Sequence, residues 1–330
     1  MYFRSVLDCG GAEYYVNRDE KGCVMKRRSF IKGSVAAGIG GALATGVGSD
    51  ALGASGSGKV DMVGVKGGEP AEMFDKAMAE LGGMGKFVKR GQSVVVKPNI
   101  GWSRTPESGA DTNPDLVKRV VEHCFKAGAK TVHIFDHTCN SWRDCYEKSG
   151  MNDVAESTGA KLVTGNHSND YRDIDIPNGK RLKKAKIHRL ILDSDVFINV
   201  PVIKNHGGAV MTCGMKNLMG VVWDRGYFHK NNLQQCIADF VTVCKPDLNV
   251  IDGYRVMKKG GPRGHNLRDV ETMKYLIVTT DIVAGDTAAS KVIGIPTERI
   301  HHIRMGEELD LGTMALNRLK IKRIDLAKES

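Results

Sequence analysis

Short apolar runs alternate with segments of helical period along most of this chain, and that alternation constrains its fold more than any other feature. Strand-like runs fall at Lys59–Val65, Ser93–Lys97, Thr131–Phe135, Lys161–Val163, Asp195–Ile203, Leu248–Asp252 and Tyr275–Thr279, with Leu319–Ile324 as a closing strand. Between them lie helix patterns at Ala71–Val88, Asn113–Ala127, Trp142–Thr158, Met211–Val222, Asn232–Cys244 and Val283–Ile293. Apolar strands that alternate with amphipathic helices predict an α/β fold, with a mostly parallel sheet covered by helices on both faces. The polar stretch Arg172–Lys186 reads as a small hairpin insertion, and the basic run Lys180–Lys186 within it as a solvated face.

Composition agrees. Hydrophobic residues make up 41% and charged residues 26%, which excludes global disorder, a collagen and a membrane bundle. The net charge is +10, yet the basic residues are dispersed and aromatics are only 6%, so nucleic acid is not an expected partner.

The N-terminal region reads as an address. Residues 26–32 are Lys-Arg-Arg-Ser-Phe-Ile-Lys, an uncharged stretch runs from Gly33 to Ser49, and small residues follow near Ala51 and Ala54. Charged, weakly apolar and small-residue regions in that order make an export signal, and Arg27-Arg28 followed by Phe30 resembles the twin-arginine type. The uncharged stretch is too short and too rich in Gly for a stable membrane span. The expected organisation is an upstream extension over residues 1–24, a signal peptide over 25–54, and one α/β domain, in one body or two lobes, over 55–330. The twin-arginine translocation machinery is then a partner, and the mature protein is periplasmic or otherwise exported.

Six cysteines follow the signal: Cys124, Cys139, Cys145, Cys213, Cys236 and Cys244. No C-x-x-C occurs, so neither a zinc knuckle nor a ferredoxin run is present. Scattered core thiols are the simplest reading. Cys236 and Cys244 are expected on one helix face.

In open α/β sheets, ligands bind beyond the carboxyl ends of the strands. Those ends carry Lys97-Pro98-Asn99, Asp136-His137, Lys204-Asn205-His206 with Gly207-Gly208, Asp252-Gly253, and Asp281 with Asp286 about one turn later. A polar residue after one strand is ordinarily a turn or a helix cap. Five such ends beside Gly-rich loops point to a site. Lys204, His206, Lys216 and His229 are the expected catalytic group, the lysines for an anion or as a desolvated nucleophile, the histidines for proton transfer or metal ligation. Lys97, Asn99, Asn217, Gly261 and Gly264 are expected to hold a ligand, with backbone N–H groups suited to phosphate or carboxylate. Asp136, Asp252 and Asp286 are the candidate ligands for a hard divalent cation. Met211, Met215 and Met219 form a helix stripe expected in the core. His123 and His188 read as structural, and His301-His302 as solvated surface.

Several of these segments together carry a family resemblance. They are Val94–Gly101 (Val-Val-Val-Lys-Pro-Asn-Ile-Gly), Phe197–His206 (Phe-Ile-Asn-Val-Pro-Val-Ile-Lys-Asn-His) and Met215–Gly220 (Met-Lys-Asn-Leu-Met-Gly). Asp252-Gly253, Gly261-Pro262-Arg263-Gly264 and Asp281–Asp286 extend the set. Over roughly residues 60–300 the chain resembles the domain-of-unknown-function family number 362. The resemblance implies a shared fold and polar site. Some members carry a ferredoxin-like module and are described as iron–sulfur proteins; this sequence departs from them in having no C-x-x-C-x-x-C run.

Three functions fit these residues. The first is an exported enzyme acting on a small carboxylate or phosphate, by proton transfer or by metal-assisted hydrolysis or redox chemistry. The second is a metal or iron–sulfur carrier using Cys139, Cys145 or Cys213. The third is an anion-binding protein without chemistry. The cofactor is open, a divalent metal ahead of a cluster.

Overall fold

A computed structural model describes residues 60–328, together with the backbone of four short strands within residues 6–23. Contacts divide the chain into two units, Met1–Gly58 and Lys59–Ser330. In the first, Val6–Asp8 pairs with Glu13–Tyr15 and Arg18–Asp19 with Gly22–Cys23, all antiparallel. The twin arginines and the uncharged stretch after them lie outside the described residues.

The second unit is built on one ten-stranded sheet. Its strands are β1 (Met62–Lys66), β2 (Ser93–Pro98), β3 (Thr131–Asp136), β4 (Lys161–Thr164), β5 (Val196–Val200), β6 (Val202–His206), β7 (Val210–Thr212), β8 (Leu248–Met257), β9 (Val270–Thr279) and β10 (Ile321–Asp325). The order is β10-β1-β9-β8-β5-β2-β3-β4, with β6 paired to β8 and β7. Pairing is parallel from β8 through β5, β2 and β3 to β4, and antiparallel where β9 joins β8 and β1. The sheet is therefore mixed but mostly parallel.

The helices include α1 (Pro70–Leu81), α2 (Pro114–Lys126), α3 (Trp142–Lys148), α4 (Met151–Thr158), α5 (Gly214–Asn217), α6 (Arg225–Lys230), α7 (Leu233–Val241), α8 (Ile282–Ile293) and α9 (His301–Glu308), and a short helix, Arg189–Asp193, leads into β5. Alternate strand residues feed two cores. Val94, Val96, Ile134 and Ile198 pack with Phe74 and Met78 of α1 and Val117 and Val121 of α2. Val95, Phe135 and Phe197 point the other way, to Ile237 and Phe240 of α7 and Val283 of α8. Each large side chain so buried stabilises the fold by about 1.5–3 kcal/mol. No helix of the described residues is long and apolar enough to cross a membrane.

Local chemistry sets the boundaries. Asn113 accepts from Asp115 N at 2.9 Å and Pro114 opens α2, the expected cap. Gly82 and Gly150, at φ 89° and 77°, end α1 early and split the expected helix over Trp142–Thr158 in two. Pro201 divides the expected strand Asp195–Ile203 into β5 and β6, because it has no N–H for the ladder. The Arg172–Lys186 insertion is a hairpin, Tyr171–Asp175 against Lys184–His188. The helix expected over Met211–Val222 forms only from Gly214. Met211 stands on β7, and all three methionines are nonetheless in the core. Cys244 falls beyond the end of α7, not on its face.

Candidate functional site

The carboxyl ends of β2, β3 and β6, the turn between β6 and β7, α5, α6 and the Gly261–Arg263 loop line a polar cavity of about 470 Å³. Lys97, Asn99, Asp136, Lys204, His206, Lys216, Asn217, His229 and Gly261 all contribute to its wall. Sequence reasoning placed each of these in a site.

A polar ladder forms the floor. Lys97 Nζ lies 2.8 Å from Asp136 Oδ1, both side chains buried. It also donates to Pro98 O at 2.7 Å and to Asn217 Oδ1 at 3.0 Å, so its three N–H groups are all used. Asn217 Oδ1 accepts a second bond from Asn99 Nδ2 at 2.9 Å, and Asn217 Nδ2 donates to Asn199 Oδ1 at 2.9 Å. Asn99 Oδ1 accepts from Lys204 Nζ at 3.0 Å. Lys204 Nζ also donates to Ala110 O, which leaves it one N–H. Burial lowers the Lys204 pKa and raises that of its buried neighbour Asp111.

Lys216 differs from both. Among the described residues its ammonium has no hydrogen-bond or ion-pair partner, and burial beside Lys204, Arg225 and Lys97 lowers its pKa to about 8. Its backbone is held firmly. Asp286 accepts from Gly214 N at 2.6 Å and Met215 N at 3.1 Å, while Met215 and Asn217 on either side are buried.

Two imidazoles are fixed in opposite tautomers. His206 Nδ1 accepts from Gly208 N at 3.1 Å and Ala209 N at 3.0 Å, so the proton sits on Nε2. Burial, then Lys216 and Lys204, lower its pKa to about 3, so it stays neutral. His137 lies 2.9 Å through Nδ1 from Val222 O, an acceptor only, so that nitrogen carries the proton and Nε2 the lone pair. Its ring stacks on Trp223 at 5.4 Å, and burial and Arg225 lower its pKa. His229 is exposed at the rim and stacks on His206 with ring centres 6.3 Å apart.

Arg225 holds the loop after β3, donating to His137 O at 2.7 Å and Thr138 O at 2.8 Å, with Cys139 Sγ at 3.2 Å. At the rim Arg263 lies over the Trp102 ring at 5.3 Å. His137 and Arg225 were not among the expected site residues. His137 carried a signal, as it follows the strand-end Asp136; Arg225 carried none.

Other expected residues lie elsewhere. Gly264 (φ 65°) packs against Ser108 and Ala110 and does not reach the cavity wall. Asp252 accepts from Asn113 N at 2.8 Å and Tyr254 N at 2.9 Å, and Asp286 caps α5. Burial raises both pKa values to about 6. Asp136 is spent on Lys97 and on Ile100 N, 2.7 Å away. The three carboxylates thus serve as backbone anchors and one ion-pair partner. Among the described residues, no three His, Cys, Asp or Glu are placed to hold a metal ion. A cluster fits no better, since Cys145 and Cys213 are wholly buried and only Cys139 reaches the cavity. His302, expected at the surface, is fully buried, with Nδ1 2.6 Å from Gln234 Oε1; His301 is exposed.

The chain is 28% identical over 243 residues to the thylakoid-associated protein sll1697 of Synechocystis sp., covering 71% of this chain and 73% of that protein. Among solved structures it is similar to a Thermotoga maritima protein, at 13% identity and TM-score 0.47, covering 69% of this chain and 60% of that one. It is also similar to the lactate racemase apoprotein of Thermoanaerobacterium thermosaccharolyticum, at 13% identity and TM-score 0.41, covering 60% and 51% respectively. The chain thus spans between half and two thirds of the length of these two solved structures. The family described as Domain of unknown function (DUF362) matches residues 94–291, more than half of the chain and all of the ladder, and the chain belongs to that family.

Proposed function

We propose that this chain is an enzyme that moves a proton on a small anionic substrate, a carboxylate or a phosphate. The observation that carries the reading is the pair of oppositely fixed neutral imidazoles beside cations with unused donors. His206 Nε2–H donates to a substrate oxygen, Lys204, Lys216 and Arg263 neutralise its charge, and the His137 Nε2 lone pair accepts the proton. His206 holds substrate without giving up its proton, since that would leave an anionic imidazole. His229 at the rim contributes to binding. The cations support an anion over a neutral ligand. We also propose that the twin-arginine segment exports the protein to the periplasm.

The test is solvent exchange. Small carboxylates and phosphate esters with a C–H beside the charged group are incubated with the protein in D2O and followed by NMR. Deuterium should enter at that carbon, and His137→Asn should abolish the exchange. Binding without exchange across the panel would overturn the enzyme reading and leave an anion-binding protein.

A further inference from the structure

The cavity wall contains one lysine whose ammonium has no work in the fold. Lys97 uses all three donors and Lys204 two, whereas Lys216 uses none among the described residues. Burial lowers the Lys216 pKa most; the Cys139 thiol opposes that, and three cations, Lys204, Arg225 and Lys97, add to it. With a pKa of about 8 Lys216 remains mostly an ammonium near neutral pH, but the neutral amine, the nucleophilic form, is a substantial minority that can carry the attack. Its carrier is also rigid: Asp286 pins the backbone N–H groups of Gly214 and Met215, Met215 is in the core, and Asn217 is locked in the ladder. A second polar group in the wall is idle. Thr212 Oγ1 is buried and has no hydrogen-bond partner among the described residues.

We propose that Lys216 is a covalent nucleophile that forms an imine with a small oxo acid, a carbonyl compound carrying a carboxylate. The inference rests on the anion-site reading and names its substrate class. The Lys216 Nζ lone pair attacks the carbonyl carbon, and the carbon–oxygen π pair moves to the oxygen, which accepts from His206 Nε2–H. The nitrogen passes one proton to the oxygen by way of the His137 Nε2 lone pair, while His206 keeps its own, giving a carbinolamine. The nitrogen's second proton then leaves with the hydroxyl as water while its lone pair forms C=N, with no net oxidation or reduction. Thr212 Oγ1 hydrogen-bonds the departing oxygen. The carboxylate meets Lys204 and the Arg263 fork.

The test traps the imine. Purified protein is incubated with pyruvate or glyoxylate and sodium cyanoborohydride, whose hydride reduces C=N to a stable secondary amine, and the peptides are mapped by mass spectrometry. Lys216 should carry most of the adduct at low oxo-acid concentration, and Lys216→Arg, which keeps the charge, should lose it. Malonate and inorganic phosphate, which have no ketone or aldehyde to trap, are titrated in parallel by calorimetry. Anion binding with no Lys216 adduct, or with adduct spread over exposed lysines, overturns the imine and spares the anion site. Failure of both overturns both. An adduct on Lys216 that Lys204→Met weakens at least tenfold supports the carboxylate placement, and an unchanged yield overturns it.

Discussion

Lys97 and Asp136 meet at 2.8 Å beneath the cavity, both side chains out of solvent, on neighbouring parallel strands. Taking two charges out of water is unfavourable, and the pair persists because its remaining donors and acceptors are also satisfied. Removing one partner leaves the other charge buried and unpaired. Asp136→Asn should therefore lower unfolding free energy by about 3–5 kcal/mol. The double variant Lys97→Met with Asp136→Leu should lose much less. Denaturant midpoints for the two decide it; equal losses would show that the charges themselves are not what matters.

Gly220 lies directly over that pair. A methyl group there would press on both Lys97 Nζ and Asp136 Oδ1, which belong to the ladder and cannot swing away. Gly220→Ala should destabilise by roughly 1–3 kcal/mol. Gly83, whose added carbon meets open space but which has φ 82°, serves as the comparison: Ala there should lose stability through backbone strain without altering the cavity. Thermal unfolding measures both, and malonate affinity should fall only for the Gly220 variant.

Much of this arrangement was legible in the chain. The strands, the Asn113 cap, the hairpin and most of the cavity wall follow from periodicity, cap chemistry and the rule that ligands gather beyond carboxyl strand ends. The division of labour among the lysines was not. Lys97, Lys204 and Lys216 look alike as letters, and only the partner of each N–H separates the structural one from the idle one. Asp252 and Asp286 read in the sequence as strand-end cation ligands, but Asp252 sits within β8, which runs on to Met257, and backbone N–H groups from distant segments claim both. Those pairings span over 70 residues and leave no local signature. His302 was misread because a histidine pair in a polar stretch says nothing about the Gln234 that meets one of the two from α7.

If Lys216 serves ligand and not fold, its loss should not harm stability. Burying an unpartnered ammonium is unfavourable, so Lys216→Met should leave the thermal midpoint unchanged or raise it. Malonate affinity should fall at least about tenfold, since a charge-assisted hydrogen bond is worth roughly 1.5–3 kcal/mol. Differential scanning fluorimetry and calorimetry on one preparation give both values. A drop in midpoint with unchanged affinity would make Lys216 structural.

His206 offers a sharper separation. Its Nδ1 receives two backbone N–H bonds, and an Asn side-chain oxygen reaches the same position. His206→Asn should keep the Gly207–Gly208 turn and lose only the Nε2–H donor. His206→Gln lacks the nearer acceptor and should loosen the turn as well. Amide exchange of Gly208 and Ala209 reads the turn, and malonate calorimetry reads the donor. Slow exchange with weak binding is expected for Asn. Fast exchange in both variants would show that the imidazole ring itself shapes the turn.

His302 supplies a test by pH. Its ring is fully buried and faces Gln234, Asp286, Lys216 and the neighbouring His301, and burial holds its pKa at about 3 against an ordinary 6.5. The contact of 3.9 Å to Asp286 Oδ2 is beyond hydrogen-bond reach, so that carboxyl does not rescue the charged form. A depressed histidine pKa means that the unfolded chain binds a proton the folded chain refuses. Its stabilising share is complete above pH 6.5 and shrinks as pH falls toward 3. The whole protein mixes several such groups, since Asp252 and Asp286, raised to about 6, act with the opposite sign. A difference measurement isolates one. Unfolding free energies of the parent and of His302→Gln, compared from pH 6.5 down to 4, should converge or cross in favour of the variant by about 1.4 kcal/mol per pH unit. Parallel curves would mean that His302 is protonated in the folded protein, with Asp286 as its counterion.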